Sequence, residues 1–289
     1  MKILLMQSSV PWRLVKVGRL RVLLFETPYD PYCNIAFEEA MARARGCNII
    51  PDTIRFFRNS NAVIIGYFQK AEEEVNMDYL NKIGSSLVRR ATGGGAVYHD
   101  MGNLNYSIAL SLERAASMNP IDYIFKVLIN GAVDALKALG LPARLENIND
   151  IVIGDRKVSG TAASTLWGSI FFHGAMLLNT DISRLSSVLK VSKKKLMDKG
   201  ISSVKYRVTN LFDIKKGLTL RDVVKSLVDS YSTLLGASAV SFELPSKEEL
   251  EIAYLLYKEK YKKEEWNMER LSHSSFSGVE KEISAICRR

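Results

Sequence analysis

Cysteine and histidine are scarce in this 289-residue chain, with three of each. Cys33, Cys47 and Cys287 lie far apart, form no Cys-x-x-Cys pair and are odd in number. That pattern predicts no disulfide framework, only structural thiols in a reduced, cytoplasmic compartment. His99, His173 and His273 cannot build a zinc site without cysteine help. No Gly-Lys-Ser/Thr follows the glycine cluster, which excludes a Walker A loop, and no GxGxxG opens a helix. The apolar run from Met1 to Met6 is too short for a signal-peptide core or a membrane span.

What remains is an ordinary globular composition, 47% apolar and 25% charged. The net charge is +9, from 40 Lys and Arg against 31 Asp and Glu. An excess of this kind serves nucleic acid, a phosphate-bearing ligand or an acidic protein partner. Here it sits in small clusters, such as Lys193-Lys194-Lys195 and Lys262-Lys263, with no basic aromatic stripe and no nucleic-acid-binding motif. Phosphate ligands or an acidic partner explain it better.

Periodicity divides the chain into an extension (1–20), a main domain (21–268) and a charged, loosely held tail (269–289). Strands are expected at 21–25, 87–90, 143–145, 151–153, 157–163 and 169–178, and along the run that follows the glycine-rich segment 92–95 up to Leu112. Residues 54–57 and 62–68 flank Asn59-Ser60-Asn61 and predict a hairpin. Helices are expected at 34–45, capped by Asn34, and at 71–82, 121–139, 183–189, 220–235 and 246–262. The order is not a strict βαβ alternation, so the fold class is α+β, with mostly antiparallel strands and packed helices.

Four segments carry candidate chemistry. Arg89 to Asp100 holds Thr92 followed by Gly93, Gly94 and Gly95. A glycine cluster lets backbone N–H groups approach a phosphate, though a bare hairpin turn explains it equally well. Asn149 to Ala163 holds Asp150, able to ligate magnesium, and Lys157, able to neutralise a carboxylate and a phosphate together; alone it reads as a solvated hairpin. Phe171 to Asp181 is a buried-strand pattern broken by His173 and Gly174. A lone histidine there is more often structural than catalytic. Residues 191–211 read either as a charged helix with a loop or as a mobile basic flap over a phosphate-containing intermediate.

In combination and order these segments resemble the lipoate–protein ligase family. The resemblance runs over Arg89–Ser107 (RRxxGGGAVxHDxGNxNxS), Asn149–Ala162 (ND…RKxSGxA), His173–Asp181 (HGxxLxNxD) and Lys199–Leu211 (KGIxSVxxRVTNL). It covers roughly residues 21–240. It implies the biotin/lipoate protein ligase fold, and an enzyme that uses ATP and Mg2+ to activate lipoate as lipoyl-AMP. The lipoyl group then passes to a lysine of a 2-oxoacid dehydrogenase E2 lipoyl domain or of glycine-cleavage H protein. The resemblance makes Lys157 the catalytic residue. It places Arg90, Thr92, Gly95, Ala96, Val97 and Tyr98 at the lipoyl-adenylate, Asn149 and the metal ligand Asp150 at the phosphates, and His173, Gly174 and Ala175 beside the nucleotide. Some members carry threonine where Ala175 stands.

The nearest alternatives are an octanoyl or lipoyl transferase of the same fold, which would need a thioester cysteine, and a non-catalytic binder of lipoyl domains. Residues 141–156 hold no cysteine. Trp266-Asn267 resembles the segment after which one-chain ligases carry an accessory domain. The 22 residues beyond it cannot form one, so a separate small accessory subunit is expected.

Overall fold

The structure, a computed structural model, describes residues 18–190 and 207–289, apart from the side chains of 273 and 274. Most of the expected extension and most of the expected flap (191–206) lie outside the described residues.

Two sheets carry the fold. The larger joins β1 (Leu20–Leu24), β2 (Thr53–Phe57), β6 (Asn103–Ser111), β7 (Ala143–Glu146), β8 (Asp150–Ile153), β9 (Arg156–Ser164), β10 (Ser169–Leu177) and β11 (Val240–Glu243). Their order is β11-β1-β2-β6-β10-β9-β8-β7. The smaller has β3 (Asn61–Ile65) between β4 (Ser86–Arg89) and β5 (Val97–Asp100). Three pairings are parallel, β1 with β11, β1 with β2, and β3 with β4. The other pairings are antiparallel. The main helices are α1 (Pro31–Gly46), α2 (Ile129–Ala138), α3 (Leu220–Leu235), α4 (Lys247–Leu256), α5 (Glu264–Glu269) and α6 (Ser277–Ile286). The α+β class, mostly antiparallel, is as expected.

Strand alternation separates two faces of the large sheet. Leu104, Tyr106, Ile108 and Leu110 of β6 join Ile170, Phe172 and Met176 of β10 in a core with Ile129 and Leu136 of α2 and Leu227 and Tyr231 of α3. The odd-numbered residues of both strands face the other way. Ala109 and Phe171 there pack with Ile35, Phe37 and Ala40 of α1.

Four local expectations are corrected. Residues 54–57 and 62–68 form no hairpin, because β2 and β3 belong to different sheets. The N-cap of α1 is Asp30, whose carboxylate accepts from Cys33 N with Pro31 in the first turn. Asn34 instead lies inside the helix and ties Thr27 O, Asn59 and Arg55 together. The C-terminal residues are not loosely held. α6 buries Val279, Ile283 and Ile286, and α5 is clamped to β4, with Trp266 Nε1 donating to Arg89 O at 2.8 Å and Arg89 N to Asn267 Oδ1 at 2.8 Å. Finally, Cys47 and Cys287 are disulfide-bonded with Cα atoms 5.5 Å apart. Docking of α6 near the end of α1 brings together residues 240 apart in sequence, which spacing alone could not show. Cys33 is the free thiol.

Candidate functional site

Two rows of side chains cross the large sheet on the face that α1 covers. Register aligns Arg55, Ser107, His173 and Ala162 in one row. Phe57, Asn105, Ala175, Gly160 and Asp150 form the next. Ala162 at the end of the first row, with Ala175 and Gly160 in the middle of the second, leaves a shallow floor. The glycine-rich loop after β4 lies over it.

Arg90 builds that loop from within. It is buried, and its guanidinium donates to Thr92 Oγ1 (3.1 Å), Gly93 O (2.6 Å), Gly95 O (2.9 Å) and Ile64 O (3.3 Å). Burial lowers its pKa to about 10, with Glu38 opposing. Gly94 has φ of +92°, and a Cβ there would meet Arg90 at 2.8 Å. Glycine is therefore required by both conformation and space. With the carbonyls drawn inward to Arg90, the loop is shaped for its N–H groups to serve as a phosphate cradle.

A relay links the loop to the floor. Arg90 Nε donates to Thr92 Oγ1, whose hydroxyl lies 2.8 Å from His173 Nε2. His173 Nδ1 lies 3.0 Å from Glu38 Oε1, and Ser107 Oγ donates to the same oxygen. Arg90 can only donate, so Thr92 Oγ1 accepts from it, and the donor and acceptor roles between Thr92 and His173 follow the imidazole's tautomer. Burial opposes ionisation of Glu38, but His173, Ser107 and Arg55 together hold its carboxyl below the usual range. Behind it His99 is buried, and its pKa falls to about 3. Thr92, His173 and Glu38 line a small open pocket with Ile35, Glu39, Trp167, Phe171 and Tyr261.

Lys157 stands at the other end of the floor. β9 carries an extra residue opposite Ile151 and Val152, a bulge beside the lysine. Its ammonium is 2.6 Å from Asp150 Oδ1. It lies so close over Gly160 that a Cβ there would meet Nζ at 2.7 Å. Thr209 N donates to Lys157 O, fixing the chain that follows the undescribed segment against this strand.

The sequence-predicted residues do not all point to this floor. Thr92, Asp150, Lys157, His173 and Ala175 gather on it. Arg90 holds the loop. The Gly95 carbonyl accepts from Arg90, Ala96 packs on the small sheet's core, and Val97 packs toward α1. Tyr98 is buried in the small sheet's core, its hydroxyl donating to Asn61 Oδ1. Gly174 lies on the opposite face against Tyr106. Asn149 holds Thr161, Nδ2 donating to its carbonyl at 3.0 Å. Sequence reading missed Glu38, although paired carboxylates, Glu38-Glu39, inside the apolar run Ile35–Ala42 were the available signal. Among the described residues no group of three acidic, histidine or cysteine side chains could hold a metal on its own. Asp150 is a single carboxylate, which fits a magnesium ion carried by a nucleotide's phosphates.

Residues 30–232 match the family model of the lipoyl protein ligase A/B catalytic domain. Lipoate-protein ligase A subunit 1 of Thermoplasma acidophilum is 39% identical over 258 residues, 86% of this chain and 96% of the relative. A solved bi-partite lipoate protein ligase with its E2 lipoyl domain, also from T. acidophilum, superposes with a TM-score of 0.74 at 37% identity, covering 89% of this chain and 98% of that one. A lipoate-protein ligase A bound with ATP gives 0.77 at 36% identity, covering 88% and 100%. The chain belongs to the lipoyl protein ligase A/B catalytic domain family.

Proposed function

We propose that the chain activates lipoate with ATP and transfers the lipoyl group to a protein lysine. The observation that carries this is Lys157, held over Gly160 at one end of a floor of small residues whose other end meets the glycine-rich loop. A carboxylate oxygen of lipoate attacks the α-phosphorus, the bond to the β-phosphate breaks, and pyrophosphate leaves. The acceptor amine then attacks the acyl carbonyl, loses a proton, and AMP leaves.

The Lys157 ammonium reduces repulsion between carboxylate and phosphate as they approach, then faces both the acyl oxygen and the phosphate. N–H groups of the loop at Gly95 and Ala96 cradle phosphate, the loop being shaped by Arg90 and Thr92 and anchored where Val97 and Tyr98 begin β5 against β3. Asn149 and Asp150 stand at the phosphate end. A magnesium ion arriving with ATP would meet Asp150 and there offset phosphate charge. His173 and Ala175 border the activated intermediate, and Gly174 gives their strand its close packing on Tyr106.

The partners follow from the relatives. The name "subunit 1" and the bi-partite ligase solved with its E2 lipoyl domain support a second, small subunit and a lipoyl-domain acceptor. Glycine-cleavage H protein, a second kind of acceptor, would present the same lysine chemistry. Among the described residues no helix is long and apolar enough to cross a membrane. With Cys47 and Cys287 paired, cysteine usage no longer argues for a reduced compartment; a cytoplasmic location rests on the use of ATP.

A thioester mechanism needs a free thiol at the reacting carbonyl. Cys33 is the free thiol, in the first turn of α1, and none of the site's hydrogen bonds involves it beyond its backbone N–H at the cap. The deciding experiment incubates the chain, with and without the second subunit, with lipoate, ATP and magnesium. Lipoyl-AMP and AMP should form with no acyl-cysteine in the mass spectrum. The Cys33→Ser variant should keep wild-type rates. An obligatory acyl-cysteine would overturn the ligase reading in favour of a transferase.

A further inference from the structure

Along β6 one face carries Asn103, Asn105, Ser107 and Ala109, while the alternating residues enter the α2–α3 core. Ser107 donates to Glu38. Asn105 has no such commitment: it is 3% exposed, and its Nδ2 is buried without a partner. A buried amide donor left unpaired is costly, and native folds retain few of them. Asn105 pairs with Ala175, which pairs with Gly160. Two strand spacings, roughly 10 Å, therefore separate the Asn105 and Gly160 Cα atoms. Lys157 Nζ lies above Gly160 on this same face. Along this row of the sheet the side chain between the two donors is the methyl of Ala175. A carboxylate lying on that methyl would meet the amide from one side and the ammonium from the other.

The geometry points to Asn105 as a substrate-binding residue, its Nδ2 donating to the carboxylate of the acyl substrate, which lies across Ala175 between that amide and the ammonium of Lys157. The assignment rests on the ligase reading. It gives the substrate end of the site a second, uncharged donor. The carboxyl is thereby oriented so that one oxygen is held at Asn105 while the other faces the phosphate beside Lys157. A neutral donor adds direction without competing with Lys157 for Asp150.

Calorimetric titration of lipoate into the full chain tests this. N105A should raise the lipoate Kd about tenfold to a hundredfold, as loss of a hydrogen bond to a charged group does, with ATP affinity unchanged. N105D, which sets a negative charge against the carboxylate, should weaken lipoate further. Thermal unfolding separates binding from structure. If the amide serves the substrate, N105A melts at or above the wild-type temperature, since an unpartnered buried donor has been removed. Wild-type lipoate affinity in N105A, with or without a lowered melting temperature, would overturn the assignment. A wild-type chain that binds no lipoate would overturn the ligase reading and this assignment with it.

Discussion

Replacing Lys157 with alanine should slow adenylate formation on the order of a hundred- to a thousandfold while the protein stays folded. The ammonium faces Asp150 at 2.6 Å, but both side chains are partly exposed, at 33% and 22%. A pair so placed contributes little to stability. Its contribution to the reaction is larger, because two anions must approach each other over Gly160. Lys157→Arg should not rescue the rate. The planar guanidinium is wider than an ammonium, and Nζ already sits within 2.7 Å of where a Gly160 side chain would begin. Lipoate-driven ATP–pyrophosphate exchange, measured with and without the second subunit, reads the effect. Wild-type exchange by a folded Lys157→Ala protein would remove Lys157 from the reaction.

The segments of the candidate site were legible in the sequence where each is short and local. The glycine cluster, the turn before Lys157 and the alternation along β10 are local, and the structure brings them to one floor. What was illegible depends on register between distant strands. Glu38 meets Ser107 and His173, which are 69 and 135 positions away. In sequence it is one of two adjacent glutamates, and either could face solvent. The same holds for Arg89 and Arg90. Strand alternation sends neighbours to opposite sides, so Arg90 shapes the loop while Arg89 clamps the carbonyls of Trp266, Asn267 and Met268. The false hairpin at 54–68 had sound turn chemistry in Asn59-Ser60-Asn61. Asn59 and Asn34, however, bind each other, and the chain leaves one sheet there for another. The C-terminal helices escaped notice because their charges pair inward. Arg43 of α1 takes Glu280 of α6 in two hydrogen bonds.

That inward pairing makes Glu39 a vulnerable carboxylate. Its Oε1 accepts from Arg43 Nε at 2.8 Å, and its Oε2 from Lys260 Nζ at 2.8 Å and Tyr261 Oη at 2.5 Å. All four groups are buried. The Lys260 ammonium rests 4.2 Å from the centre of the Trp266 ring. Glu39→Gln keeps the shape but turns an amide toward the cations and leaves the buried lysine without its counter-charge. A loss of about 3–5 kcal/mol is expected, as when one partner of a buried pair is removed. Burial by itself would raise the Glu39 pKa, yet Lys260 and Arg43 pull it down from 4.5 to about 2. A folded value below the unfolded one means the carboxylate stabilises the fold above about pH 4.5 and loses that effect as pH falls toward 2. The stability gap between wild type and Glu39→Gln should therefore narrow by about 2 kcal/mol between pH 7 and pH 3. Urea unfolding at the two pH values measures it, and a gap independent of pH would contradict an ionised Glu39. Because Glu39 and Tyr261 also line the cavity beside Glu38 and His173, lipoate binding should weaken in the same variant. The cluster that fixes the C-terminal helices to α1 thus also lines the pocket beside Glu38 and His173.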